Sequence, residues 1–351
     1  MKVAITGETG FLGYHLTQYL RYHVGYEVIS LTRNYQNNIH LIKDCDWLIH
    51  CAGINRNLSS SCNNLILAEE LIELLLRNNI NVNIAYASSI QEFHNNEYGN
   101  DKANAGKVLS NYCSEINSEF ISYKLPNLFG PFGKPNYNSV VATFCYNIAN
   151  NTPCHINDNE INLCYVYDAI QIMTLDAIDC TYVTTNITVK ELYNRLILYH
   201  TKYQDGIIPE LNSKFDIQLF NTYRSFTKCM HTFIRYTDGR GYLIELLKSE
   251  NSQSQIFFST TRPGITRGNH FHFNKIERFC VLKGTANISM RKLGSNEIIR
   301  YIISDNMDTV IDMPILHTHN ISNIGSDELI CVFWTNEIFN SDHTDTYFIN
   351  V

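Results

Sequence analysis

Charge is scarce in this chain. Lys and Arg number 27 and Asp and Glu 34, together 17% of the residues, for a net charge of −7. So few cations make no broad positive field, which excludes non-specific binding to nucleic acid. An anionic ligand must be held by local groups. Long apolar runs are also missing. None approaches the roughly 18 residues that a membrane span requires, so no membrane association is expected. The 11 cysteines include no C-x-x-C pair, their count is odd, and no secretory leader precedes the first strand pattern. A reduced cytoplasmic protein with mostly buried thiols is expected.

The chain has 351 residues, 44% of them hydrophobic, too long for one typical core. Up to about residue 220 the pattern alternates between strand and helix. Residues 2–6, Glu27–Thr32, Asp46–Cys51 and Val82–Ala87 read as strands. An apolar face at Leu12, Leu16, Tyr19 and Leu20, and a second over residues 65–77, read as helices. That order predicts a parallel Rossmann-like α/β sheet with helices on both faces. From Phe233 onward short strands alternate with turn signals such as Thr237–Gly241, Gly284 and Gly294. This predicts an all-β barrel or sandwich. The domain boundary is set at 224/225.

Three constellations carry chemistry. The first is Gly7-Glu-Thr-Gly10-Phe-Leu-Gly13, between a predicted strand and a predicted helix. Gly7 and Gly10 allow a tight turn and close approach to a pyrophosphate, Gly13 allows close helix–strand packing, and the helix N-terminus offers free N–H groups. The second strand then ends Leu31-Thr32-Arg33 with no carboxylate for a ribose 2′-hydroxyl. Arg33 can pair with a 2′-phosphate instead, favouring NADPH over NADH.

The second constellation is Ser89 at a strand end, followed by Tyr98 and Lys102. Four residues apart on a helix, the phenol and ammonium share one face. The ammonium is expected to lower the Tyr98 pKa, making it a proton donor and acceptor, while Ser89 bonds a substrate carbonyl.

The third lies late in the chain: Gly264-x5-His270-x-His272-x4-Glu277-x6-Gly284, with His319 after it. Residues two apart on a strand point to one face, so His270 and His272 can chelate one ion. Three imidazoles and a carboxylate suit Zn²⁺, Fe²⁺, Mn²⁺ or Ni²⁺, with Zn²⁺ the expected divalent metal. His317, beside His319, is a candidate base.

The first half resembles the extended short-chain dehydrogenase/reductase family. That resemblance assigns catalytic roles to Ser89, Tyr98 and Lys102. Counting back from Phe93, where the family commonly has tyrosine, selects Ser89 over Ser88. It puts Thr9, Phe11, Leu12, Ala52, Gly53 and Lys102 on the cofactor side. Within Lys124-Leu-Pro-Asn-Leu-Phe-Gly-Pro131 it makes Asn127 face a nucleotide-sugar, with Asn138 and Ser139 continuing that surface. The second half resembles the cupins, matching their first motif fully and their second in part: Leu316 and Asp308 stand where glycines are common. The stretch Thr237–Glu245 resembles cupin-type sugar 3,5-epimerases, in which Arg240 would hold nucleotide phosphates.

The order of the two halves resembles the bifunctional capsular-polysaccharide enzymes of the CapF/WbjC type. The implied substrate is a UDP-linked 4-keto-6-deoxy amino sugar, a UDP-2-acetamido-2,6-dideoxy-4-hexulose. The implied reactions are C3 epimerisation and then C4 reduction, in a homodimer. A reductase with a purely structural metal site, or a non-catalytic nucleotide-sugar-binding protein, are the alternatives.

Overall fold

The computed structural model describes residues 1–32, 35–54, 64–175, 181–232, 235–238, 241–244, 248–249, 254–337, 342 and 344–351. The chain divides into two compact units, Met1–Thr143 with Asp158–Val189, and Phe144–Asn157 with Lys190–Val351.

The first unit is built on β1 (Lys2–Thr6), α1 (Phe11–Tyr19), β2 (Glu27–Leu31), β3 (Trp47–His50), α2 (Asn64–Arg77), β4 (Asn83–Ser89), α3 (Glu97–Glu115) and β5 (Phe120–Leu125). Its five strands are all parallel in the order β2-β1-β3-β4-β5. Strands covered on both faces must be apolar along their length. Val3, Ala4, Ile5, Leu48, Ile49, Ile84 and Ala85 are accordingly wholly buried. Ala68, Leu71 and Leu75 of α2 and Ala105 and Leu109 of α3 join the core on one side. Chain direction reverses in strand order beside β1, and ligand crevices open at such a point, beyond the carboxyl ends of the strands. The glycine turn, Ala52-Gly53 and Ser89 all follow or end β1, β3 and β4 at that edge.

Beyond β5, β6 (Asn127–Phe129), β7 (Glu160–Tyr165) and β8 (Thr185–Thr188) form a small sheet. Between them α4 (Val140–Ala149) crosses the division between units, and α5 (Val166–Ile172) packs on α1.

The second unit is an antiparallel cupin-like barrel of two five-stranded sheets. One runs in the order 230–232, 309–313, 277–283, 329–335, 255–261, the other 298–304, 285–292, 317–323, 266–271, 347–348. Phe279, Ile311 and Leu329 from the first sheet and Ile288, Met290 and Ile321 from the second share one apolar core.

Helices α6 (Val189–Gln204) and α7 (Lys214–Arg224) group with this second unit, ahead of the change in sequence character near residue 225. Buried polar contacts explain the grouping. Arg278 donates to both oxygens of Asp312 at 2.6 and 2.9 Å and to the Gly206 carbonyl at 3.2 Å. Tyr203 of α6 donates to the same carboxylate, and Arg224 of α7 donates to the Met313 carbonyl at 3.0 Å.

The Arg278–Asp312 pair is almost fully buried, with side chains 2% and 1% exposed. Removing one partner of such a pair strands the other charge out of water, costing about 3–5 kcal/mol. Asp312→Ala is therefore expected to lower unfolding free energy by that amount in urea titration. A loss below about 1 kcal/mol would mean that water replaces the carboxylate.

Candidate active site and metal centre

The glycine turn leaves β1 with Gly7 at φ 73°. A Cβ at Gly7 would lie 2.6 Å from Ala52 N, and one at Gly13 only 2.1 Å from Gly7 O. No side chain fits either place, so α1 enters the turn at backbone contact. The N-cap of α1 is Gly10, with no side chain turned onto the helix end. The residues present thus form a cradle at a helix N-terminus that fits a pyrophosphate. Thr6 ties the cradle to β3. Its hydroxyl accepts from Ala52 N–H at 3.3 Å and lies 2.8 Å from Nδ1 of His50. Burial holds the His50 pKa down to about 3, so that ring is neutral. Thr9 is exposed and Leu12 half-buried.

Ser89, Tyr98 and Lys102 come together at the end of β4. Ser89 ends the strand, accepts from Gln91 N–H at 3.2 Å and hydrogen-bonds the Tyr98 phenol. Ser88 is turned away and donates to Glu92, which also holds Lys124 at 2.8 Å. Asn96 caps α3 by accepting from Gly99 N–H at 2.8 Å, which starts the helix so that Tyr98 and Lys102 fall on one face. The Lys102 ammonium donates to the Ala87 carbonyl at 3.1 Å and lies 5.0 Å over the Tyr86 ring.

One expectation is reversed. Lys102 does not lower the Tyr98 pKa. Burial pushes it up to about 12, against the pull of the Ser89 hydrogen bond, with Asp101 and Tyr137 adding to the rise. Burial in turn lowers Lys102 to about 8, although Cys51, Asp101 and Glu92 oppose it.

Asp101 and Asn64 were not singled out in the sequence. Asp101 accepts from Asn64 N at 2.9 Å, Asn64 Nδ2 at 2.7 Å and Leu65 N at 3.1 Å, holding the start of α2 against α3. Asn64 also bonds both backbone groups of Ile54, just past Gly53. The only signal was an Asn at a helix start, a weak one among so many asparagines.

Asn127 is exposed on β6. The stretch that follows is fixed to α1 by His15, whose Nε2 lies 2.8 Å from Pro131 O and whose Nδ1 lies 2.9 Å from the Tyr167 hydroxyl. Phe11 packs against Gly130, where an added Cβ would come within 3.3 Å of its ring. Asn138 is exposed, while Ser139 caps α4 by accepting from Ala142 N–H at 3.2 Å. Arg33 and Arg240 lie outside the described residues.

In the second unit His270, His272, Glu277 and His319 converge, their donor atoms all within 4.8 Å of one another. His270 and His319 are register partners on adjacent strands, and Glu277 opens a strand of the other sheet. His272 Nδ1 donates to the Asp345 carbonyl at 2.5 Å and His319 Nδ1 to the His317 carbonyl at 3.1 Å. Both Nε2 atoms therefore face inward, 3.8 and 3.1 Å from Glu277 Oε2. Burial and the neighbouring imidazoles hold the His270 pKa down to about 3, leaving a neutral ring. Burial pushes Glu277 up, but the His272 and His319 rings outweigh it and hold the carboxyl well below its usual range. Three imidazoles around a buried carboxylate, with the buried Nε2 of His272 making no hydrogen bond, fit a divalent cation.

Leu316 keeps the left-handed turn that a glycine commonly makes, at φ 56°, with its N–H bonded to His272 O at 3.0 Å. Its neighbour His317 donates Nδ1–H to Ile315 O at 3.0 Å, and burial lowers its pKa to about 4.

The Lys102 shift has a stability signature. Below pH 8 the amine is charged in both states and its desolvation cost is felt in full. Between about 8 and 10.5 the folded form has released a proton that the unfolded chain retains, so stability rises with pH. The stability difference between wild type and Lys102→Met is expected to move in the wild type's favour from pH 8 to 10 in urea unfolding. A flat difference would refute the depressed amine.

The chain is similar to known proteins along its whole length. Residues 3–179 match the NAD dependent epimerase/dehydratase family, and residues 236–347 the polysaccharide biosynthesis C-terminal domain. A Pseudomonas aeruginosa UDP-2-acetamido-2,6-beta-L-arabino-hexul-4-ose reductase is 32% identical, with 100% of this chain and 99% of that protein covered. The crystal structure of the capsular polysaccharide assembling protein CapF from Staphylococcus aureus is 31% identical, covers 100% of both chains and superposes with a TM-score of 0.61. A CapF structure with the inhibitor 3-isopropenyl-tropolone matches at 29% identity and a TM-score of 0.57, again over 100% of both chains. No described helix is long and apolar enough to cross a membrane. The chain belongs to the NAD dependent epimerase/dehydratase family and is an NAD(P)H-dependent oxidoreductase.

Proposed function

We propose that the protein reduces the C4 ketone of a UDP-2-acetamido-2,6-dideoxy-4-hexulose with NADPH, after its cupin half has epimerised C3. The product is UDP-N-acetyl-6-deoxy-L-talosamine or UDP-N-acetyl-L-rhamnosamine, destined for surface polysaccharide. In this reading residues 1–224 form the reductase domain and 225–351 the cupin, and the protein works as a cytoplasmic homodimer. The observation that carries it is Tyr98, hydrogen-bonded to Ser89 and one helical turn from Lys102, at the strand edge that also holds the glycine cradle.

NADPH supplies the hydride to C4. Ser89 and Tyr98 bond the ketone oxygen, and Tyr98 gives that oxygen a proton, completing the alcohol. A phenol held near 12 is protonated at neutral pH, the form a donor needs. Lys102, one helical turn on, is assigned to hold the nicotinamide ribose. In this reading Asn127, Asn138 and Ser139 serve the nucleotide-sugar in the reductase unit, Arg240 is assigned to nucleotide phosphates in the cupin unit, and Arg33 to the 2′-phosphate of NADPH.

For the epimerisation, the C4 ketone acidifies the C3 proton. His270, His272, Glu277 and His319 would hold a divalent metal, Zn²⁺ by donor type, which would supply Lewis acidity. His317 is the base assigned to C3. Its Nδ1–H donates to the Ile315 carbonyl, so Nε2 is the ring atom that would take the proton. Return of a proton to the opposite face inverts C3.

Tyr98→Phe is expected to slow NADPH oxidation with the 4-keto UDP-sugar by about 10²–10⁴-fold, the usual worth of a general acid. An undiminished rate would sink the Tyr98 role. Stripping the metal is expected to abolish deuterium uptake at C3 in D₂O without NADPH. Uptake that persists in the metal-free protein would leave the cluster a structural part only.

A further inference from the structure

We propose that the segment Thr344–Val351 is a clasp that sets the geometry of the metal ligands, with Asp345 as its positioning residue. The proposal rests on the reading that His270, His272, Glu277 and His319 hold a divalent cation.

Asp345 acts through both its carboxylate and its carbonyl. Oδ1 accepts from Phe273 N–H at 3.0 Å, and Oδ2 accepts from Asn274 and Lys275 N–H at 2.6 and 2.8 Å. Three successive backbone donors thus end on one carboxylate. They belong to the turn that joins His272 to Glu277, so the carboxylate fixes the spacing of two ligands. The Asp345 carbonyl accepts from His272 Nδ1 at 2.5 Å. A carbonyl has no proton to give, so Nδ1 carries the hydrogen and Nε2 is the atom left to meet a metal. That Nε2 is the buried atom left without a partner beside Glu277.

The rest of the segment reaches the other two ligands through their chain neighbours. Ile349 donates its N–H to Asn269 O at 2.9 Å, next to His270. Thr318, next to His319, donates its hydroxyl to Ile349 O at 2.5 Å. Tyr347 and Phe348 pair as an edge strand with Phe271 and His270. All four ligands are thereby held by one short piece of chain. A turn that needed only closing would not require the bond to the His272 ring.

Outer partners of metal ligands commonly carry tenfold to hundredfold in affinity. The test measures Zn²⁺ affinity of the full chain by competition with a chromophoric chelator, beside the melting temperature of the metal-free protein. Asp345→Ala is expected to weaken Zn²⁺ binding about 10–100-fold. Asp345→Asn, which keeps one acceptor oxygen but turns an N–H toward backbone donors, is expected to fall between. The matched control is Asp305→Ala, which removes a carboxylate that accepts from Gly284 N–H at 2.9 Å at another turn of the barrel. It should lower the melting temperature and leave Zn²⁺ affinity intact. Should Asp345→Ala not fold, Asp345→Asn decides by the same readout. Wild-type affinity in both Asp345 variants, or an equal loss in Asp305→Ala, overturns the clasp. A wild-type protein that binds no Zn²⁺ fails differently, because it removes the metal reading itself.

Discussion

A single buried cation organises the first unit. The Lys102 side chain is 4% exposed, bonded to Ala87 O at 3.1 Å, lies over the Tyr86 ring, and sits 3.0 Å from where a Cβ on Gly53 would be. Its helical neighbour Asp101 seats the start of α2, and α2 through Asn64 seats Ile54. β3, β4, α2 and α3 therefore meet around one ammonium. Burying it is unfavourable, as the fall of its pKa to about 8 records. In the proposed reading that cost is tolerated because the charge serves the reaction site.

The second unit meets the opposite problem with the same physics. Glu277 is a buried carboxylate, 8% exposed, facing imidazoles whose Nδ1 atoms are taken by carbonyls at His272 and His319. In the proposed reading a divalent cation completes this cluster. Both sites thus rest on charge removed from water: Lys102 is held by a backbone carbonyl, and Glu277 by imidazoles that backbone carbonyls orient.

The sequence made the chemistry more legible than the architecture around it. The glycine turn, the Tyr98–Lys102 spacing and the His270–Glu277 run are local patterns, because a tight turn, a helical face and a chelating strand each constrain neighbours in the chain. The grouping of α6 and α7 was not local. It depends on Arg278 and Asp312, which lie far along the chain from Tyr203 and Arg224 and look like ordinary surface charges until the fold buries them. Asp345 stayed silent for the same reason: its three N–H partners lie about seventy residues away. The direction of the Tyr98 shift was misjudged because spacing reveals a neighbouring charge but not the desolvation that outweighs it. At Leu316 the turn persisted without its usual glycine, because the bonds to His272 O and from Leu293 N hold the left-handed backbone.

The central claim is hydride delivery from NADPH to C4 of a UDP-linked 4-keto sugar at Tyr98. It is tested most directly by incubating the protein with NADPH deuterated at the nicotinamide C4 on the transferred face and reading the product by NMR. The account predicts deuterium at sugar C4, with no signal for a proton there. A product carrying solvent hydrogen at C4, or unchanged ketone beside unspent cofactor, would contradict it.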